Sequence, residues 1–595
     1  MRFTTRPELS GTFGMVASTH WIATAVGMSV LERGGNAFDA AVATGFALHV
    51  CEPHLNGPLG DMPALIWPHA DDAPTMICGQ GTAPAGASIA RYRAEGLDLI
   101  PGSGLLATVI PGAFDAWMLM LRDHGTWPLA DILAPAIHYA RHGVPLVPRI
   151  ATSIAELADF FRAEWPTSAA TWLPGGEVPA AGALFANPDL ADTWERLCAE
   201  TEGIRGREAQ IDAARAAFGQ GFIAQAIDDW MQGACVMDAS GQRHRGVLTG
   251  HDMAGWRASY EPALNTSHAG WEVFKGGFWS QGPVQLQVLQ MLAGDRLAEL
   301  DPNGPDFIHL TTEALKLAFA DREAHYGDSA DIPAETLLSA AYAAQRRALI
   351  TPQASPDLRP GHVPGYEGRA QAALTRQHWL ARREDHTGPG VGEPTMGHLK
   401  KPGDTVHVDV VDRWGNMVSA TPSGGWLQSS PVVPGLGMPL NSRAQMFWLD
   451  EGLPTSLKPG RRPRTTLSPS FARGPDGTRL AYGTPGGDQQ DQWQTAFILR
   501  VIHHGLNLQE AIDAPAFHTD ALQASFDPRG FRPAHLQAEA AFAEATLDAL
   551  RARGHHLEIS APWSAGRLTA VSRRPDGMLK AAATPRQMQA YAAGR

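Results

Sequence analysis

The chain has 595 residues, of which 44% are hydrophobic and 18% are charged, a composition typical of folded globular proteins. This length allows one large domain or about two to four smaller ones. The formal net charge of −13 disfavours partners such as nucleic acid and anionic membrane surfaces, which attract basic proteins.

Cysteine usage and the first residues narrow the class of protein further. The four cysteines are scattered, without a CxxC pair, so we expect neither a disulfide framework nor a zinc site. The opening stretch MRFTTRPELSGTFG lacks a charged head followed by an apolar run, and no apolar stretch reaches the length of a membrane span. We therefore expect a soluble, cytoplasmic protein that needs no metal.

Helical patterns dominate the first half of the chain. Residues 15–50 predict two helices, the second capped by Asn36, with Asp39 in its first turn, where the helix dipole favours a carboxylate. Residues 108–143 predict two more helices, and residues 150–270 have a helical but less distinctive pattern. Two further helices of good periodicity are predicted at 281–292 and 308–328.

The pattern changes between Pro352 and Lys401, where the chain is rich in Pro, Gly and His and shows little periodicity. A loop of this length inside a compact protein usually has a function or is a linker. Strands and helices alternate after it. The predicted strands are 405–412, 416–423, 480–487, 556–560 and 567–574, and the predicted helices are 493–505 and 543–554. This mixture favours an α/β domain whose sheets carry helices on their outer faces.

Thr405 stands at the head of the first of these strands, directly after the irregular tract. A threonine that begins a strand is unremarkable on propensity alone. If the chain were cut between Asp404 and Thr405, however, a new α-amine with a pKa of about 7.7–8.0 would lie beside the Thr405 hydroxyl. Such an amine can accept the hydroxyl proton and so activate a threonine nucleophile.

Several motifs occur in one order along nearly the whole chain. They are VLERGGNAFDAAVATGFALHVCEP at 30–53, Pro-Gly at 111–112, EALKLAFADRE at 313–323, Thr-x-His-x-x-Val-Val-Asp-x-x-Gly-Asn at 405–416, Pro-Gly to Leu-Asn at 434–441, LSPS at 467–470, GTPGG at 483–487 and AIDAPAFH at 511–518. In these motifs the sequence resembles the γ-glutamyltranspeptidase family of N-terminal nucleophile hydrolases. The resemblance is weakest from about 150 to 270.

The resemblance implies a four-layer αββα sandwich of the N-terminal nucleophile hydrolase type. It also implies two chains that form one structural unit, residues 1–404 and residues 405–595, produced by self-cleavage between Asp404 and Thr405. The Pro/Gly-rich tail at about 352–404 would then be mobile. The two cleaved fragments would then form a heterodimer, and a dimer of such heterodimers is possible. The resemblance implies no cofactor.

The resemblance also assigns chemistry to four residues. Thr405 occupies the position of the nucleophile, and Ser423 falls where the family has a second threonine whose hydroxyl touches the nucleophile's amine. Gly486 and Gly487 match the glycines whose backbone N–H groups form the oxyanion hole, where the loss of one donor typically costs ~2.7–4 kcal/mol. Taken alone, GTPGGD would be interpreted as a tight turn.

Three further residues are assigned to the binding of a substrate carboxylate. Thr465 and Thr466 replace a hydroxyl pair that family members use for this purpose, and they keep its hydrogen-bonding capacity. Arg464 lies next to them and is a candidate second anion contact. Basic residues in such a run are more often a solvated surface.

Other positions depart from the family pattern. Where γ-glutamyl enzymes bind the substrate's α-amine, this chain has Gly425, Arg443 and Met446. Met446 is a poor acceptor, and Arg443 would repel an ammonium but suit an anionic group. The arginine that binds the α-carboxylate falls at Ile89, so Arg91 is the nearest candidate for that role.

Three functions remain open from the sequence. The first is an amidohydrolase or acyltransferase acting on a small amide with an acidic or N-acyl group, with water or an amine as acceptor. The second is an authentic γ-glutamyl hydrolase or transferase acting on glutathione-like compounds. The third is an unprocessed relative that only binds ligands. His407 and His518 are interpreted as structural histidines in all three.

Overall fold

The computed structural model describes residues 3–383 and 405–595. Its strands are β1 (Leu9–Gly11), β2 (Gly14–Ser18), β3 (Ala64–Trp67), β4 (Thr75–Cys78), β5 (Val144–Pro145), β6 (Leu184–Phe185), β7 (Val236–Met237), β8 (Arg243–His244), β9 (Ser259–Pro262), β10 (Leu264–His268), β11 (Trp271–Lys275), β12 (Val408–Asp412), β13 (Met417–Ala420), β14 (Ser470–Arg473), β15 (Arg479–Gly483), β16 (Phe517–His518), β17 (His535–Glu539), β18 (His556–Ser560), β19 (Thr569–Arg573), β20 (Leu579–Ala583) and β21 (Tyr591–Gly594).

The α-helices surround these strands. They are α1 (Trp21–Glu32), α2 (Ala37–Cys51), α3 (Ile89–Ala94), α4 (Ala113–His124), α5 (Leu129–His142), α6 (Pro148–Glu164), α7 (Pro166–Trp172), α8 (Pro188–Glu202), α9 (Arg207–Gly219), α10 (Phe222–Gly233), α11 (Gly250–Gly255), α12 (Pro283–Met291), α13 (Pro305–His325), α14 (Ala334–Leu337), α15 (Ala340–Arg347), α16 (Glu367–Leu380), α17 (Gln490–His504), α18 (Leu508–Asp513) and α19 (Glu544–Ala552). None of these helices is both long enough and apolar enough to span a membrane.

Two seven-stranded antiparallel sheets form the centre of the fold. The first has the order β21-β2-β12-β13-β3-β4-β9, and the second has the order β1-β20-β19-β15-β14-β11-β10. A three-stranded sheet, β16-β17-β18, and two short ribbons lie outside them. Each large sheet combines strands from before and after Thr405, so residues on the two sides of the expected cut are paired by backbone hydrogen bonds.

The cores between the layers follow the alternation of side chains along the strands. Val408 and Val410 of β12 point outward and pack with α1, α2 and α4. Val411 points the other way and joins Trp67 and Phe471 in the apolar layer between the two sheets. On the far side of the second sheet, α12, α13 and α17 pack against β11, β14 and β15. These four layers make the expected αββα sandwich.

Local sequence signals account for many element boundaries. The side chain of Asn36 accepts hydrogen bonds from the first turn of α2, and the Asp39 carboxylate accepts one from the backbone N–H of Asn36, which completes a capping box. Helices also form at 113–124, 129–142, 283–291 and 305–325, as expected. All five strands predicted after the irregular tract are present, although most are shorter than expected.

Three expectations about secondary structure are wrong. Residues 14–18 form strand β2, because they pair with β12 and β21 in the sheet core, whereas a helix was expected there. Strands β6 to β10 interrupt residues 150–270, which were expected to be helical. Within the Pro/Gly-rich tract, Glu367–Leu380 forms helix α16, which packs on α13 through Ala373 and Leu374. Residues 384–404, which include the expected cleavage residue Asp404, lie outside the described residues.

Candidate active site

Thr405 lies beside Ser423 at one end of the first sheet. In the pairing of β12 with β13, Val408 faces Ala420. The same register carried toward the strand start places Thr405 opposite Ser423, where an isolated antiparallel bridge joins them. The Thr405 Oγ1 and Ser423 Oγ atoms are 3.2 Å apart, and both residues are fully buried. The structure therefore brings the predicted nucleophile and its predicted hydroxyl partner into hydrogen-bond contact.

The polar face of β12 continues behind this pair. His407 forms hydrogen bonds through Nδ1 with Thr421 Oγ1 and through Nε2 with Asp409 Oδ1, both at 2.9 Å. The other Asp409 oxygen accepts a hydrogen bond from the Thr569 hydroxyl of β19 at 2.7 Å. This buried chain connects the two large sheets, and both ring nitrogens of His407 have partners within the protein.

Asp61 is a residue of this site that the sequence reasoning missed. Its backbone pairs with Ser423 through two hydrogen bonds of 2.8 and 2.9 Å. The preceding Gly60 makes this approach feasible, because a Cβ atom there would lie 2.0 Å from the Ser423 carbonyl oxygen. A lone acidic residue at the end of a glycine-containing loop, GPLGD, was the only signal in the sequence.

Arg443 forms an ion pair with Asp61. The Arg443 Nε donates to Asp61 Oδ1 at 2.9 Å, and both side chains are almost completely buried. The guanidinium carbon lies 4.8 Å from the centre of the Trp426 ring. Among the described residues, no acceptor contacts Arg443 Nη1 or Nη2, and no donor contacts Asp61 Oδ2. One buried ion pair thus presents two unused donors and one unused acceptor.

Burial raises the pKa of Asp61 to about 6, although the charge of Arg443 opposes this effect. Met446 lies near the same pair, in a small buried apolar cluster with Trp426 and Phe526. As expected from its side chain, Met446 contributes apolar surface there.

Gly486 and Gly487 form the turn between β15 and α17. Their φ angles of 124° and 52° suit glycine, and a Cβ atom at Gly486 would lie 2.4 Å from the Trp493 ring. Neither backbone N–H group donates to another described residue. The preceding Gly483 packs against the ring of His407, so this turn leaves its sheet at the end where Thr405 lies.

Thr465 and Thr466 follow a buried loop that runs beside Ser280. The Thr465 backbone bonds to Trp279 and Gln281 at 2.9 Å each, and its hydroxyl accepts a weak bond from Leu467 N–H. The Thr466 hydroxyl is buried and has no partner among the described residues. Gln281 also donates to the Gly487 carbonyl oxygen at 3.0 Å, which links this loop to the glycine turn.

Arg464 is not positioned as a free anion contact. Its side chain is buried, pairs with Glu323 at 3.0 Å, and donates to the Arg322 carbonyl oxygen and the Ser525 hydroxyl at 3.2 Å. Burial lowers its pKa to about 10. The expectation that this run of arginines lies on a solvated surface is wrong for Arg464, because its guanidinium is buried and pairs with Glu323.

Arg91 is also placed differently from the expectation. It lies on the exposed side of α3 and is 3.8 Å from Glu95, one helical turn away. Ile89, at the family's arginine position, packs against an apolar cluster. The structure therefore brings neither residue to the buried Thr405 site, because the short helix turns Arg91 toward solvent.

His518 is buried against Trp493, and this burial lowers its pKa to about 4. In the described part of the chain, one group of side chains has the geometry of a metal site, namely His309, Glu313 and His555. Glu313, however, accepts hydrogen bonds from Lys316 at 2.5 Å and Arg359 at 3.0 Å, so its negative charge is already compensated.

Comparisons with known proteins agree with this geometry. The family model described as Gamma-glutamyltranspeptidase matches residues 23–594. The acylase ACY 1 proenzyme of Pseudomonas sp. (strain SE83) is 31% identical, over 96% of this chain and 92% of its own length. The oxamate amidohydrolase proenzyme of Klebsiella pneumoniae is 31% identical, over 98% of each.

Two solved structures are similar over the whole chain. The structure of LmbA2991HD is 53% identical and covers 100% of both chains, with a TM-score of 0.92. The cephalosporin acylase from Bacillus halodurans is 28% identical, covers 100% of this chain and 97% of its own, and has a TM-score of 0.80.

The layered sandwich, with a buried threonine at the head of a central strand, defines an N-terminal nucleophile hydrolase. The chain belongs to the gamma-glutamyltranspeptidase family. Its relatives include acylases, glutathione hydrolases and an oxamate amidohydrolase, and this chain is an enzyme of the same kind, a self-processing threonine amidohydrolase or acyltransferase.

Proposed function

We propose that this enzyme cleaves a small amide whose acyl part carries a carboxylate, through an acyl-enzyme on Thr405. One observation carries the proposal. Next to the Thr405–Ser423 pair, Arg443 is held through Nε and keeps both Nη groups unused in a buried position. Two parallel N–H donors on one guanidinium match the two oxygens of a carboxylate, and an ionised acceptor makes such hydrogen bonds strong.

The enzyme first has to cut itself. The Thr405 hydroxyl attacks the carbonyl carbon of Asp404, and the peptide bond is replaced by an ester while the Thr405 nitrogen becomes an amine. Water then hydrolyses the ester, which releases a carboxylate on fragment 1–404 and a free α-amine on fragment 405–595. The paired strands of the two sheets hold the fragments together as a heterodimer.

Turnover uses the same hydroxyl. The Thr405 α-amine takes the hydroxyl proton, Oγ1 attacks the substrate carbonyl, and the N–H groups of Gly486 and Gly487 stabilise the oxyanion. The amine returns the proton to the leaving nitrogen, and water or another amine then attacks the acyl-enzyme. Ser423, at 3.2 Å from Thr405 Oγ1, keeps the hydroxyl oriented, and the Thr466 hydroxyl is a further donor for substrate.

A second candidate, hydrolysis or transfer of γ-glutamyl groups, is favoured by the unused Asp61 Oδ2. This oxygen lies in the same ion pair as the two unused donors of Arg443. One acceptor beside two donors complements the ammonium and carboxylate of an α-amino acid. Asp61 would then bind the substrate's ammonium group in place of the aspartate that family members have at the position of Met446.

Two anilides separate the candidates, because glutaryl and γ-glutamyl p-nitroanilide carry the same carboxylate and differ in the α-amine. We expect higher kcat/KM for the glutaryl compound. Arg443→Gln should lower this kcat/KM roughly ten- to a hundredfold, because the loss of a charged hydrogen bond usually costs about 1.5–3 kcal/mol. An unchanged value would remove Arg443 from the acyl site.

The variant Arg443→Gln leaves Asp61 buried without its partner, which can destabilise the fold by itself. The double variant Asp61→Asn with Arg443→Gln removes both charges and serves as the control for folding. A strong preference for the γ-glutamyl anilide that disappears in Asp61→Asn would establish the second candidate instead.

The pKa of about 6 for Asp61 predicts a pH dependence of anion binding. Above this pH the Asp61–Arg443 pair is neutral overall, and below it the pair carries one positive charge. Glutarate, a product analogue, should therefore inhibit more strongly as pH falls from about 7.5 to 5.5, by about three- to tenfold in Ki. In Asp61→Asn most of this pH dependence should be lost, and a pH profile in that variant like that of the wild type would contradict the assignment.

The cytoplasmic location stays a prediction from the sequence.

A further inference from the structure

The motif EALKLAFADRE at 313–323 ends in two charged residues, Arg322 and Glu323, in the last part of helix α13. Both side chains are buried. Burying a charge is costly unless it is paired, so the partners of these residues indicate what the motif does. The reaction steps at Thr405 use neither residue.

Arg322 reaches the glycine turn, Gly486 and Gly487, in two ways. Its Nη1 donates to the carboxylate of Asp488, the residue that follows Gly487. The same nitrogen donates to Gln281 Oε1 at 2.8 Å, and Gln281 Nε2 donates to the Gly487 carbonyl oxygen at 3.0 Å. One guanidinium therefore holds both a carbonyl group of the turn and the side chain next to it.

The Asp488 carboxylate is also fixed from its other side, by Ser525. Its Oδ1 accepts a hydrogen bond from the Ser525 hydroxyl at 2.7 Å, and its Oδ2 accepts one from the Ser525 backbone N–H at 2.8 Å. Hydrogen bonds to an ionised carboxylate are strong. With the bond from Arg322, three of them fix the position of the residue after the glycine turn.

Glu323 connects the same helix to the threonine loop, Thr465 and Thr466. Its Oε1 accepts a hydrogen bond from Arg322 Nε at 2.9 Å and lies 3.0 Å from Arg464 Nη2. Arg464 also donates to the Arg322 carbonyl oxygen at 3.2 Å. The residue that precedes Thr465 is thus tied to helix α13.

The four buried side chains form one row of alternating charge, in the order Arg464, Glu323, Arg322 and Asp488. Positive and negative charges balance along this row. Burial opposes the ionisation of Glu323, but the neighbouring arginines lower its pKa to about 2. One end of the row lies beside the threonine loop, and the other end lies beside the glycine turn.

We propose that Arg322 is a positioning residue for the reaction at Thr405. It keeps the two N–H groups of the glycine turn aimed at one oxygen atom, and Glu323 ties the threonine loop to the same helix. Arg322 lies on fragment 1–404, whereas the turn and the loop lie on fragment 405–595, so the oxyanion site depends on both fragments. The inference rests on the proposed function, in which the glycine turn stabilises the oxyanion.

Gln281→Met tests the link to the glycine turn without changing a buried charge. Methionine has a similar length but gives no donor to the Gly487 carbonyl oxygen, which keeps its bond from the Gln490 N–H. The substrate is the glutaryl or γ-glutamyl p-nitroanilide, whichever wild type hydrolyses faster. We expect kcat to fall about ten- to a hundredfold, because small displacements of catalytic groups are costly, while KM changes less than about threefold.

Gln287→Met is the matched control. Gln287 lies on helix α12, is 2% exposed, and donates to the Leu337 carbonyl oxygen at 3.2 Å rather than to the glycine turn. It loses a buried hydrogen bond of the same kind, so its melting temperature should fall about as much as that of Gln281→Met. Its kcat should equal that of wild type.

Arg322→Met alone would leave Asp488 buried without its charged partner, which can unfold the protein. The double variant Arg322→Met with Asp488→Asn removes one charge of each sign and leaves Glu323 paired with Arg464. This double variant should lose at least as much kcat as Gln281→Met, while its thermal unfolding stays cooperative.

Hydrogen exchange separates a failure of this inference from a failure of the proposed function, because it needs no substrate. The peptide that contains residues 484–490 should exchange faster in Gln281→Met than in wild type or Gln287→Met, since a turn that loses an anchor opens more often. If wild type hydrolysed neither anilide, the proposed function would fail, and this exchange alone would decide the inference. Wild-type exchange of the peptide in Gln281→Met, or a kcat equal to that of Gln287→Met, would overturn it.

Discussion

Replacing Thr405 by Ala is expected to leave one full-length chain without amidase activity. Alanine has no hydroxyl to attack the Asp404 carbonyl, and without the cut no α-amine forms beside residue 405 to serve as the base. Activity with glutaryl p-nitroanilide should fall to the background rate of the assay. A denaturing gel of the same preparation should show a single band.

Thr405→Ser is the matched control, because it keeps a hydroxyl at the same position. It should still be cut, more slowly, and should retain measurable turnover. Thermal unfolding of both variants checks that the sandwich is intact, since Thr405 is fully buried and its hydroxyl contacts that of Ser423. Cleavage of Thr405→Ala at the wild-type rate would show that Thr405 does not cut the chain.

Gly486→Ala is expected to reduce kcat by about 10²–10³-fold, the usual effect of losing one oxyanion-hole donor. The residue has a φ of 124°, and an added Cβ atom would lie 2.4 Å from the Trp493 ring, so the turn has to move. In the proposed mechanism, the N–H groups of Gly486 and Gly487 would then no longer point at the same oxygen. Initial rates at saturating substrate measure the effect, and KM should change much less than kcat.

Gly505→Ala provides the comparison for backbone strain alone. Gly505 ends helix α17, the helix that follows the glycine turn, with a φ of 61°, and a Cβ atom there would meet nothing within 4 Å. This change should cost about 1 kcal/mol of stability and leave kcat unaltered. A Gly486→Ala enzyme as active as Gly505→Ala would remove this turn from the oxyanion site.

Sequence patterns predicted those parts of the fold that depend on neighbours along the chain. The alternation in β12 and the turn before β13 fix a hairpin register, and this register places Thr405 opposite Ser423. The Asn36 cap of α2 follows in the same way from a local hydrogen bond. In both cases the partners lie within about twenty residues of each other.

Contacts between distant segments were not predictable in this way. Asp61 and Arg443 are 382 positions apart, and nothing in the GPLGD loop indicates that its acid pairs with an arginine close to the Thr405–Ser423 pair. Arg464 belongs to a run of arginines that resembles a solvated surface, but the fold buries it beside Glu323. Helix α16 has weak periodicity and flanking prolines, and its packing on α13 stabilises it.

The central claim is that scission of the chain before Thr405 creates the amine that activates this residue. Freshly purified wild type should be followed over time by denaturing gel, N-terminal sequencing and amidase rate. We expect fragments 1–404 and 405–595, the second beginning Thr-Val-His, with activity rising in proportion to the cut fraction. Full activity in a preparation that consists of the intact 595-residue chain would contradict the account.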